Sequence, residues 1–232
     1  MFSIVVPLDA NRLSQFANTK RAYDSFPEDK IFLIPTRNLN EVYDYLNAHD
    51  LMQDVCLISY KHEVGFNCSK ALNIGVRHAT TNRVIITSPE VMPNSNILPD
   101  LEAPVNIICQ VYDQNEDGET GMSLVNTIFR SETPAMYFLA CFNREDILAI
   151  NGWDEAFMDG YAYEDNDFGN RWVRAGIPFV IRDDLTALHQ YHPRAETIPG
   201  GWATNLKHLQ ANDSNGVIRC KRGIKQRKRK VL

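Results

Sequence analysis

The sequence predicts an α/β protein with a mostly parallel central sheet flanked by helices. Three observations carry this expectation. Short apolar runs alternate with stretches of helical spacing through the first part of the chain, giving strand, helix, strand, helix, strand, helix, strand. The runs are continuously apolar, as strands covered on both faces are. Prolines and polar turns punctuate them, as with Pro7 and Pro35.

The first run, 2–6, stops at Pro7, and Asp9-Ala10-Asn11 reads as a turn. Residues 12–26 carry Leu13, Phe16, Lys20 and Tyr23 at helical spacing. A second strand at 31–34 precedes Pro35, and 40–49 is helical with Val42, Tyr45 and Leu46 on one face. A third strand at 55–58, a helix at 68–79 led by Asn67, and a fourth strand at 83–87 complete the series. Ligands of such sheets bind beyond the strand C-termini, here 7–11, 35–37 and 88–90. After Pro93 the pattern loosens. Strands are expected at 105–112 and 178–181, an apolar run at 135–142, a short helix at 144–150 and a further segment at 185–192. The acidic turn 113–119 lacks the Gly and Glu positions of a calcium loop and reads as a solvated loop.

The 232 residues, 44% apolar and 23% charged, suit a globular domain with a proper core. We expect a single domain over 1–218, with halves 1–93 and 94–218, and a basic tail over 219–232. A net charge of −5 argues against a nucleic-acid binder. The basic tail reads most simply as a solvated end, with peripheral contact to anionic lipid as the next reading. Five cysteines, with no Cys-x-x-Cys pair, fit buried free thiols in a reducing compartment. No leader and no membrane-length apolar run is evident, so a cytoplasmic location is expected unless an anchor lies outside this sequence. No glycine-rich phosphate loop follows any strand, which removes the main support for dinucleotide oxidoreductases and P-loop kinases.

The most informative stretch is 151–176. Its first part mixes Gly and acids with Trp153, Phe157, Tyr161 and Tyr163, an aromatic loop. Glu164-Asp165-Asn166-Asp167 then opens a helix whose stripe is Phe168, Trp172 and Ala175, ending at Gly176. A helix-capping cluster is the simpler reading of those acids. Flat rings beside paired carboxylates point instead to a sugar-handling site.

Three blocks, Asn143-Arg144-Glu145-Asp146, Asn151-Gly152-Trp153-Asp154-Glu155 and Gly160 through Arg171, resemble the C-terminal catalytic module of β-1,4-galactosyltransferases. Polypeptide N-acetylgalactosaminyltransferases and glycosyltransferase family 2 enzymes share that module in looser form. The resemblance implies a nucleotide-sugar transferase of the GT-A fold. Asp165 would be the general base, ionised at its helix N-terminus, with Glu164 beside it. Asp167, Trp153, Tyr161, Tyr163 and His192 would contact a glycan or glycoconjugate acceptor. Tyr161-Ala162-Tyr163 stands where the family usually has Trp-Gly-Gly.

Val5-Val6-Pro7-Leu8-Asp9 with Arg12 is similar to the opening of family 2 chains, and Lys70 through Ala79 matches their Ala-x-Asn-x-Gly helix. Pro7, Asp9, Arg12, Arg37, Asn67, Lys70 and Asn73 are thus the expected nucleotide contacts. The family's metal-binding Asp-x-Asp is replaced by Ser88-Pro89-Glu90. Glu90, with Ser88 and a histidine from the end of the last strand (His189 first, His192 second), would hold Mn²⁺ or Mg²⁺ on the diphosphate. The implied reaction moves a sugar, most simply from a UDP-sugar, to an acceptor hydroxyl with inversion. The alternative is a catalytically inactive carbohydrate- or nucleotide-sugar-binding domain. A nucleotidyltransferase would want the missing glycine-rich loop.

Overall fold

Four parallel strands, β1 (Phe2–Val5), β2 (Lys30–Thr36), β3 (Val55–Ser59) and β4 (Arg83–Thr87), lie in the order β3-β2-β1-β4. This is a computed structural model that describes residues 1–61, 65–125, 136, 138–159, 162–193 and 199–224. The helices α1 (Leu13–Asp24), α2 (Leu39–Ala48) and α3 (Cys68–His78) make the crossovers. The continuous apolar runs are explained by burial: Ile4, Val5, Phe32, Ile34, Val84, Ile85 and Ile86 are all removed from solvent. Gly75 of α3 is needed for close approach, since a Cβ there would stand 2.2 Å from Val5 Cγ1.

Beyond β4 the sheet becomes mixed. β8 (Leu139–Asn143) runs antiparallel to β4, and β6 (Asn106–Gln114) antiparallel to β8. β9 (Phe179–His189) is parallel to β6, while β5 (Val91–Pro93) and β7 (Thr120–Ser123) pair antiparallel with β9 and β6. The acidic turn is the exposed β6–β7 connection, closed by Gly118 at φ +83°. The segments expected at 178–181 and 185–192 prove to be mostly one strand. Its register against β6 jumps from Cys109↔Arg182 to Gln110↔Thr186, so a bulge absorbs the polar Asp183-Asp184 pair that interrupts the apolar pattern.

Helices α4 (Arg144–Ala149), α5 (Glu164–Arg174) and α6 (Gly201–Ser214) complete the fold. The sequence gives little sign of α6, because its buried positions are Gly201, Asn205, Leu209 and Asn212, a stripe with a single large apolar residue. The tail boundary also needs correcting. Cys220 and Ile224 are buried, so the chain packs as far as residue 224. All five cysteines are free. No helix among the described residues is long and apolar enough to cross a membrane.

Candidate active site

The pairing of β5 with β9 builds the first part of the site. Val91 faces His189 in the register, and the Gln190 backbone N–H donates to the Glu90 carbonyl at 2.9 Å. Ser88 makes the preceding turn, its carbonyl accepting from the Val91 N–H at 3.1 Å. Glu90 Oε1 consequently lies 3.2 Å from His192 Nε2 and 3.6 Å from His189 Nε2. Glu90, His189 and His192 each offer a ligand atom within 4.8 Å of the others. His192 thus sits with the expected metal ligands rather than on the acceptor side.

The Nδ1 of His192 is 2.9 Å from the Pro193 carbonyl, which can only accept, so Nδ1 carries a proton; Nε2 donates to Glu90 when the ring is protonated and offers its lone pair to a cation when it is neutral. His189 Nδ1 lies 2.9 Å from Asp113 Oδ1, the outer-carboxylate arrangement that orients metal-binding imidazoles. Asp113 belongs to the turn read from sequence as merely solvated. Burial would raise the Glu90 pKa, but hydrogen bonds from His189 and His192 outweigh it and bring it down to about 2. Its second oxygen, Oε2, is buried and has no hydrogen-bond partner among the described residues. An ionised carboxylate with an orphaned oxygen beside two imidazole nitrogens fits a divalent cation.

Arg12 borders this cluster, its Nη2 donating to the Pro193 carbonyl at 3.4 Å; the hydrogen bond to Glu90 raises the His192 pKa, against burial and the Arg12 charge. Farther along the strand ends, Arg37 donates to both oxygens of Asp9, at 3.4 and 3.1 Å. Asp9 follows buried Pro7 by two residues and caps Ala10. Asn67 caps α3 by accepting from the Lys70 N–H at 2.7 Å, while its buried Nδ2 has no partner among the described residues. Lys70 Nζ lies 5.7 Å from the Tyr60 ring centroid and donates to the Lys61 carbonyl. Tyr60, which the sequence did not flag, is buried, and burial pushes its hydroxyl pKa above the usual range. Asn73 departs from expectation. Its amide donates to the Trp153 carbonyl and accepts from the Trp153 N–H, at 2.8 and 2.9 Å, so it ties α3 to the loop before α5.

The acid pair opens α5. Ala162 and Tyr163 precede it with φ of +62° and +71°, consecutive left-handed residues that each cost on the order of 1 kcal/mol or more. Asn205 of α6 holds this turn, donating to the carbonyls of Ala162 (2.7 Å) and Phe157 (3.0 Å). The pair does not remain simply ionised, as its place at a helix N-terminus had suggested. Burial, with the Asp165 charge beside it, raises Glu164 to about 7. Burial also raises Asp165, against hydrogen bonds from backbone N–H groups that favour its ionised form. Desolvation outweighs the field of the helix end.

Three other acceptor-side expectations are corrected by burial. Asp167 is fully buried and paired with Arg171, and Trp153 is fully buried with its ring stacked on Phe168 at 4.1 Å. Tyr163 is only 6% exposed and packs with Phe157 and Leu209. Tyr161 lies outside the described residues. The accessible ring here is Trp202 of α6, 49% exposed and edge-on to Tyr163 at 5.7 Å. Without an apolar stripe to reveal α6, the sequence offered no signal for it.

The two halves converge at α3. Cys68, its first residue, has its thiol pKa raised well above the usual range by burial and then by the charges of Glu164, Glu90 and Asp165. Carboxylates of both parts thus act on the same end of α3. The α/β architecture is that of the GT-A fold, as in the solved structures that follow. A sequence profile described as the N-terminal domain of galactosyltransferase matches residues 136–193, which hold β8, α4, α5 and β9. Among solved structures, the chain is similar to mannosyltransferase PcManGT from Pyrobaculum calidifontis in complex with GDP-Man and Mn2+. The match has 14% identity and a TM-score of 0.57, over 91% of this chain and 69% of that one. It is also similar to S. aureus TarS 1-349 in complex with UDP-GlcNAc, at 12% identity and a TM-score of 0.66 over 92% of this chain. The chain spans 66% of that TarS chain and 65% of the one in complex with UDP. No curated protein shows significant sequence similarity to the chain.

Proposed function

We propose that this chain transfers a sugar from a nucleoside-diphosphate donor, a UDP-sugar in the simplest case, to an acceptor hydroxyl with inversion. The observation that carries this reading is the Glu90–His189–His192 cluster at the strand ends, in a chain that also presents the Glu164–Asp165 pair in the first turn of α5. Glu90, His189 and His192 would hold Mn²⁺ or Mg²⁺, which supplies positive charge against a departing diphosphate. Arg12 adds a fixed cation on the same side. Asp9, Arg37, Tyr60, Asn67 and Lys70 line the nucleotide end, where the orphaned Asn67 Nδ2 offers a donor to the ligand.

At the other end Asp165 accepts the acceptor's proton as its oxygen attacks the anomeric carbon, and Glu164 beside it tunes that basicity. Trp202, half exposed, would contact an acceptor ring. The test is Asp165→Asn, assayed for transfer or donor hydrolysis and, separately, for UDP binding. We expect turnover lost by a factor of roughly 10² or more and UDP affinity unchanged. Equal loss of UDP binding, or full activity, would overturn the assignment.

A further inference from the structure

We infer that residues 219–224 form a strap that positions the acid pair, an inference resting on the role given above to Glu164 and Asp165. The strap acts on the loop 150–155, which runs from α4 toward α5. Cys220 and Ile224 donate their backbone N–H groups to the carbonyls of Ile150 (3.4 Å) and Asn151 (3.0 Å). Asn151 Nδ2 returns a bond to the Cys220 carbonyl at 2.8 Å, and the Glu155 N–H donates to the Arg222 carbonyl at 2.7 Å. The loop needs such bracing because Asn151 and Gly152 are both left-handed, at φ +67° and +69°.

The contact is also tight. A Cβ on Gly223 would stand 1.8 Å from the Asn151 carbonyl oxygen, and one on Gly152 would stand 2.7 Å from Ile224 Cγ1. From this braced loop the path to the acids is short. The carbonyls of Ile150 and Gly152 accept from Arg171 at 2.9 and 2.8 Å, and Arg171 is bonded to Asp167. Both belong to α5, whose first turn carries Glu164 and Asp165. The strap therefore sets where that turn sits relative to α3 and Glu90. Its members are positioning residues and touch no reactant.

The test uses the full chain carrying Gly223→Ala, with Ile224→Val as a milder second variant. Hydrogen exchange of peptides covering 162–174 is read beside calorimetric binding of UDP with Mn²⁺ and the pH profile of UDP-GlcNAc hydrolysis. We expect protection of α5 to fall about tenfold in Gly223→Ala and less in Ile224→Val, with UDP affinity kept within about twofold. The rising limb of the hydrolysis profile should move to lower pH, because a loosened pair is better hydrated. Unchanged exchange in α5 overturns the inference, and so does loss of UDP binding in step with α5 protection. If Gly223→Ala loosens the whole sheet, Ile224→Val decides by the same criteria. A wild-type chain that hydrolyses no donor would instead remove the catalytic reading, leaving exchange and UDP binding to decide the strap.

Discussion

Replacing Asp167 by Asn separates a buried structural ion pair from an acceptor contact. Asp167 and Arg171 are both removed from solvent, with Nε 2.6 Å from Oδ2, and Asn212 Nδ2 donates to the other oxygen at 2.7 Å. Both partners are donors, so the carboxylate's two oxygens satisfy both. An amide has one acceptor oxygen and must turn its NH₂ group toward one of them. In either orientation the guanidinium is left buried without its counter-charge. Breaking a buried pair in this way costs about 3–5 kcal/mol, a large share of the roughly 5–15 kcal/mol that stabilises a domain. Urea unfolding of the two proteins measures it, with the midpoint falling and the slope unchanged. Arg171→Met in the Asp167→Asn background should recover part of the loss, since both charges are then gone, although the carbonyls of Ile150 and Gly152 lose their donors. A loss below about 1 kcal/mol, the value typical of exposed pairs, would refute the reasoning. So would an effect confined to acceptor kinetics.

Glu90→Gln should abolish Mn²⁺ binding measured by calorimetry while leaving the fold intact, because the remaining neutral donors lack the charge a hard cation needs. Turnover should rise with pH through about 7, following ionisation of the Glu164–Asp165 pair, and Glu164→Gln should shift that limb downward by removing the neighbouring charge. Stability has the opposite slope. The folded Glu164 holds its proton to about 7 whereas the unfolded one releases it near 4.5, so this group's contribution declines as pH rises between those values. Urea midpoints across that window would check the sign. Gly75→Ala should cost on the order of 1–3 kcal/mol, since its Cβ would overlap Val5 and move α3 off β1. Thermal unfolding would register the change.

The strap and the acid pair illustrate different limits of reading a chain in order. Continuous apolar runs and helical stripes marked β1 to β4 and α1 to α3, because those elements are fixed by which residues leave water. The same local signal located α5, and the spacing around Glu164 placed it in a glycosyltransferase-like module. It failed for α6, whose buried face is largely Asn and Gly, and for the β9 bulge, where Asp183 and Asp184 broke an apolar run without ending the strand. Polar residues were the least legible. Asp165 and Asp167 are two apart in one first turn, yet one stands beside Glu164 and the other meets Arg171 in the interior.

The sequence alone determined the layered α/β architecture and the residue types available for chemistry, since hydrophobic period and local turn chemistry act over a few neighbouring residues. Only the tertiary structure decided which of those residues meet. Strand register set His189 and His192 against Glu90, burial turned Trp153, Asn73 and Asp167 into supports, and residues 219–224 became part of the fold. Each outcome depends on contacts between segments far apart in the chain, where packing and desolvation choose among side chains that look alike in one dimension.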